Sequence, residues 1–146
     1  MSNVQRSPLA YQVIGSAMEV HTHLGPGLLE LPYCRGFAQE LRARGLSYRS
    51  EAMIPVVYKG VDLDCGYRAD FIVENELLVE IKSVEHLSPV HFAQVMNYLK
   101  LVKVRQALLF NFNVTLLKNG MTSFLYRDGR VDVEFEAKPL AECSSP

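Results

Sequence analysis

The sequence predicts an α/β (α+β) domain built on one central mixed β-sheet flanked by helices. Three observations carry this. Two segments with apolar residues at helical spacing come first, then a run of segments rich in β-branched and aromatic residues, and then a further helical segment before strands resume. Elements in this order bury their apolar faces by packing on a shared sheet. At about 100–200 residues per domain, the 146 residues correspond to a single domain. Its core is expected over about residues 8–136, with a flexible tail over 137–146.

Ser7 followed by Pro8 is a helix-start pair, and Val13, Ile14, Ala17, Met18 and Val20 or His21 recur at helical spacing until Gly25. The spacing predicts a helix over 8–23. A tight Gly-Pro-Gly turn at Gly25 to Gly27 leads to a second helix from about Leu29 to Arg44. Pro32 is tolerable in its first turn, Gly45 stops it, and Leu29, Tyr33, Phe37 and Leu41 form its core face. From Ser47 the period changes. SYRSE, MIPVVYK, a turn at Lys59-Gly60, YRADFIV and LLVEIKSV read as strands with short polar connections. Ser88-Pro89 repeats the helix-start signal, and Phe92, Val95, Met96, Leu99 and Val102 mark the buried stripe of a third helix. RQALLFNF, a connection containing Asn119-Gly120, and the hairpin SFLYRDGRVDVEF around Asp128-Gly129 complete the sheet.

Composition excludes several classes. Apolar residues make up 49% and charged residues 21%, which fits a globular protein and not a disordered, collagen-like or coiled-coil chain. No apolar run approaches the ~20 residues of a membrane helix. The first residues lack the apolar core of a secretory signal, so the expected address is the cytoplasm. Fifteen basic against 16 acidic residues give a net charge of −1. Any nucleic-acid contact must therefore be local rather than spread over a broad basic surface. Cys34, Cys65 and Cys143 are odd in number and far apart, so they read as free thiols in a reducing compartment.

The chemistry concentrates in LLVEIKSV. Glu80 and Lys82 are two apart in a strand apolar enough to be central, so both leave the same face. Buried charges there cost several kcal/mol unless a partner or a metal compensates them. If the preceding turn centres on Asn75, antiparallel partners have numbers summing to 150, and Asp70 stands opposite Glu80. Two carboxylates so close repel unless something positive lies between them, and Mg²⁺ accepts one or two carboxylates plus waters. A plain ion-pair cluster on a half-exposed sheet face is the alternative. Gln94 and Tyr98, four apart, share a face of the third helix adjacent to its buried stripe. Glu30 reads as a favourable first-turn charge. His21, His23, His86 and His91 have no metal-ligand spacing and read as structural.

GLLELPY, from Gly27 to Tyr33, carries the pattern G-x-x-E-x-x-Y. With EVHTHLGPGLLE, GYRADFIVENELLVEIKSVE, SPVHFAQVMNYLKL and LLFNFNVTLLKNG in order, the chain resembles the GxxExxY protein family over roughly residues 8–120. These are small, mostly bacterial proteins similar to the PD-(D/E)XK nuclease superfamily. The resemblance implies a restriction-endonuclease-like core in which Asp70 is the first acid, Glu80 and Lys82 the (D/E)xK pair, and Glu30 the helix-borne acid. It implies Gln94 and Tyr98 as a QxxxY element and, with Tyr33, as substrate-binding residues. Ala69 replaces the Pro of the PD dipeptide, which removes no ligand, and three cysteines are too few for the four-cysteine iron–sulfur cluster of some relatives.

The resemblance thus implies Mg²⁺- or Mn²⁺-dependent phosphodiester hydrolysis, of DNA or RNA, with Asp70, Glu80, the Ile81 carbonyl and Glu30 on the metal and Lys82 stabilising charge or orienting water. Nucleic acid, DNA first, is the expected partner. A homodimer would help a chain of this size grip a duplex. The rival expectation is a catalytically silent nuclease-fold protein that binds nucleic acid or a protein partner.

Overall fold

The structure, a computed structural model, describes residues 7–135. The tail expected at 137–146, with Cys143, lies outside the described residues. Helix α1 (Pro8–Leu24) opens on Ser7, whose hydroxyl accepts from the Ala10 N–H at 3.1 Å. It closes on Gly25, whose φ of 66° suits glycine and whose N–H reaches the His21 carbonyl at 2.8 Å. Ala10, Val13, Ile14, Ala17, Val20 and His21 form its buried row. Met18, expected inside, lies a step round the helix from this row and is exposed. Helix α2 (Glu30–Ala43) buries Tyr33, Phe37 and Leu41. Leu29, expected on that face, is instead the extended residue before the helix (φ −75°, ψ 170°) and is 81% exposed. The helical period does not govern a residue that stands outside the helix.

Six strands come next, in spatial order: β1 (Tyr48–Tyr58), β2 (Val61–Val73), β3 (Leu77–Lys82), β4 (Gln106–Asn111), β5 (Met121–Arg127) and β6 (Arg130–Phe135). All neighbours are antiparallel except β3 and β4. A parallel pair needs a crossover, and helix α3 (Pro89–Val102) supplies it. SYRSE and MIPVVYK, expected as separate strands, form the single strand β1, and β2 begins at Val61 rather than Tyr67. The outer parts of both strands are mostly exposed and pair with each other as a two-stranded ribbon, Pro55 against Gly66 and Tyr58 against Val61. In β1 Ala52 and Ile54 still alternate inward onto the α3 side, but β2 is exposed from Val61 to Arg68, so no buried face imprints an alternation on it and its extent is hidden in the sequence.

Helices α1 and α2 cover one face of the sheet and α3 the other. Val13, Ala17, Phe37 and Leu41 pack with Phe71, Val79, Ile81 and Phe110, whereas Val95 and Leu99 pack with Ile72, Leu78, Leu109 and Phe124. Strands β3 and β4 are therefore buried on both faces, which is why they read as continuous apolar runs. The Asp128-Gly129 hairpin forms as expected, with φ of 51° and 78° at the two turn residues.

Tyr33 links this core to the turn before α2. Its ring stacks on Phe112 at 4.6 Å, and its hydroxyl donates to the Gly25 carbonyl and accepts from the Leu28 N–H at 3.1 Å. The Ser83 hydroxyl donates to the Leu28 carbonyl, so the turn is also tied to the end of β3. Tyr33→Phe keeps the ring but orphans both turn groups, so it should cost about 1–2 kcal/mol. Urea titration checks this, and an unchanged midpoint would show that the hydroxyl holds nothing.

Candidate active site

Strands β2 and β3 pair in the expected register, Val73 with Leu77, Ile72 with Leu78 and Phe71 with Val79, each pair summing to 150. There the ladder stops. β2 continues as part of the outer ribbon with β1, while β3 stays paired to β4 as far as Lys82 and Asn111. The sheet thus forks, and the next position on each prong is an acid. Instead of a backbone pair, the Asp70 N–H donates to Glu80 Oε2 at 2.6 Å and the Ile81 N–H donates to Asp70 Oδ2 at 2.7 Å. Each carboxylate satisfies a backbone donor that the parting strands would leave unpaired.

Asp70 also marks a turnover in β2. Phe71 packs on the α1–α2 side, whereas Ala69 packs on the α3 side. Across from it, Ser50 pairs with Phe71 and Ala52 with Ala69 in one unbroken register, which sets Glu51 opposite Asp70; neither makes a ladder pair there, and Glu51 has a left-handed φ of 48°. The other side of the fork is held by Asn111, whose side chain accepts from the Val84 N–H at 3.1 Å and donates to its carbonyl at 2.9 Å.

The electrostatics derive from burial. Glu80 is 3% exposed, and burial, then the Asp70 charge, push its carboxyl up from 4.5 to about 8. Burial also raises Asp70, against the pull of the Ile81 N–H and the Lys82 charge. Two elements not singled out from the sequence belong to the same field. Cys34, on α2, has its thiol pushed up to about 12 by burial and by Asp70, Glu30, Glu80 and Glu51. Glu51 adds its charge to Asp70 as well. The local sequence pattern places neither at the fork; the pairing of β1 with β2 and the docking of α2 bring them there.

The remaining candidates fall in different places. Glu30 stands at the exposed start of α2 and bears on both Asp70 and Glu80 through its charge. Lys82 follows Glu80 on the same strand face and lowers both acids. Tyr98, expected beside the buried stripe of α3, is itself part of that stripe at 4% exposure, with its ring against Tyr67 of β2. Burial, Glu80, Tyr67 and Asp70 push its hydroxyl up to about 12, and Gln94 hydrogen-bonds it. Tyr33 is buried in the core with its hydroxyl committed to the Gly25–Leu28 turn.

Among the described residues no three His, Cys, Asp or Glu side chains converge as a ready-made cation cage. Two carboxylates do converge, and Mg²⁺ is held by one or two carboxylates with waters completing its shell. A strand residue's N–H and C=O leave on the same edge, so the Ile81 carbonyl faces the fork along with its N–H, while the Lys82 carbonyl turns to β4 and accepts from Phe112 at 2.9 Å. A hard oxygen-donor set is therefore present, and it fits a divalent cation.

The buried acid makes stability depend on pH. The folded protein keeps a proton on Glu80 that the unfolded chain releases near 4.5, so this contribution is complete below 4.5 and is lost as pH rises towards about 8. Thermal unfolding of the metal-free protein should show a lower Tm at about pH 8.5 than at about pH 6. Mn²⁺ should raise Tm more at the higher pH, and Glu80→Gln should flatten the slope. An equal slope in Glu80→Gln would remove Glu80 as its source.

The family model of the PD-(D/E)XK nuclease superfamily matches residues 7–124, from the cap of α1 into β5. No curated protein matches the chain significantly. Nor does any solved structure. Among the described residues no helix is long and apolar enough to cross a membrane. The family match contains both prongs of the fork and all three helices around it, and the mixed six-stranded sheet is consistent with a restriction-endonuclease-like architecture. The chain belongs to the PD-(D/E)XK nuclease superfamily.

Proposed function

We propose that this protein is a Mg²⁺- or Mn²⁺-dependent nuclease that hydrolyses phosphodiester bonds of nucleic acid, DNA first, in the cytoplasm. The observation that carries the reading is the fork itself, where a half-buried Asp70 and a buried Glu80 converge, Glu80 standing one residue from a free carbonyl and two from a lysine. A buried acid pair destabilises a fold that makes no use of it. The G-x-x-E-x-x-Y pattern at Gly27 to Tyr33 supports placing the chain in the branch that bears that name.

Asp70, Glu80 and the Ile81 carbonyl would hold the cation, with Glu30 reaching it through water. A bound divalent ion supplies a water of lowered pKa and positive charge at the phosphate. Lys82 sets its ammonium against the charge that develops as the bond to phosphorus forms and the leaving oxygen departs. Gln94, hydrogen-bonded to Tyr98, is the group of that helix turned towards a bound strand, while Tyr98 steadies it. Tyr33 contributes by holding the turn that carries Glu30.

Cleavage of labelled DNA and RNA, single-stranded and duplex, with Mg²⁺ or Mn²⁺ tests the proposal. Lys82→Ala and Asp70→Ala should each lower the rate by at least about 100-fold, and a chelator should abolish it. Folded wild type that cuts none of these and binds no divalent ion would support the rival reading, a catalytically silent nuclease-fold binder, which the net charge of −1 favours.

A further inference from the structure

Tyr67 stands on β2 three residues before Asp70, about 10 Å along the strand. It is 49% exposed although it is large and aromatic. Its ring lies against Tyr98, centroids 5.2 Å apart and planes at 39°, and Tyr98 is fixed by burial and by Gln94. Tyr67 is thus an aromatic ring braced from below at the lip of the fork. At the start of α2, Leu28, Leu29 and Leu31 flank Glu30 in the chain and are all exposed, and Val90 is exposed in the first turn of α3. The charges that bear most on the two carboxylates, beyond each other, are Lys82 against Glu30 and Glu51. An acidic centre that would hold a divalent cation, with exposed apolar and aromatic side chains near it, suits a ligand that offers one phosphate to that cation and flat apolar surface to the side chains.

We infer that the substrate is single-stranded nucleic acid and that Tyr67 is the platform on which a base beside the scissile phosphate stacks. This deepens the nuclease reading of the fork and rests on it. A duplex hides its base faces and is gripped through many Lys and Arg contacts to phosphate, which a chain of net charge −1 supplies sparingly. A single strand presents every base face, and base–aromatic stacking carries much of its binding.

The test is fluorescence anisotropy of a short labelled pyrimidine single strand and of a hairpin duplex, in Ca²⁺, with parallel cleavage in Mn²⁺. Wild type should bind the single strand more tightly than the duplex. Tyr67→Ala should weaken single-strand binding about ten-fold and raise KM, while Tyr67→Phe, which keeps the ring, should stay within about two-fold of wild type. Circular dichroism confirms that the variants fold. Duplex bound as tightly as single strand, or Tyr67→Ala indistinguishable from wild type, overturns the inference, and cleavage that persists unchanged in Tyr67→Ala does so while leaving the nuclease in place. Single-strand binding that depends on Tyr67 without any cleavage supports the platform and removes the nuclease.

Discussion

Where β2 and β3 separate after Phe71 and Val79, two backbone donors lose their strand partners, and the side chains of Asp70 and Glu80 take them up. Everything distinctive about the site depends on this exchange. It ties the Glu80 carboxylate to the Asp70 backbone and the Asp70 carboxylate to the Ile81 backbone, shields the acids between helices, raises Asp70 and pushes Glu80 up to about 8. Neutral side chains could cap the same donors without that repulsion. The geometry is thus suited to a cation, which would relieve the repulsion and leave the hydrogen bonds in place.

The helices hold the fork from both sides by different means. α2 is anchored by Tyr33, Phe37 and Leu41 in the core, so its first residue, Glu30, can project from a fixed base. Tyr33 and Ser83 then tie the preceding turn to the end of β3, which couples the position of Glu30 to that of Lys82. α3 approaches as the crossover that the parallel β3–β4 pair requires, and the same crossover delivers Gln94 and Tyr98. Topology and chemistry are therefore linked. Were β3 and β4 joined by a hairpin, α3 would not lie over the acids and only α2 would cover them.

Much of this is legible in the sequence because burial leaves a pattern. The caps at Ser7 and Gly25, the doubly buried runs of β3 and β4, and the register around Asn75 each obey local rules. The register matters most, since a slip by one residue would turn Asp70 to the other face. The hidden parts lack a burial pattern or depend on tertiary packing. The outer part of β2 is exposed, so its length leaves no trace, and Glu51 and Cys34 reach the fork only through strand pairing and a helix docking. Leu29 and Met18 mislead because an apolar residue in or beside a helix need not lie on its buried row. Leu29 precedes the helix and flanks Glu30, exposed and outside the core.

The central claim is that a divalent cation sits in the fork between Asp70 and Glu80. The most direct measurement is a Mn²⁺ titration monitored by amide NMR, because a paramagnetic ion broadens only the signals near it. The amides of Asp70, Ile81 and Lys82 should broaden first, and Glu80→Gln should abolish this. Broadening that begins instead at the exposed acids of the outer ribbon, Asp62 and Asp64, or that is unchanged by Glu80→Gln, would contradict the claim.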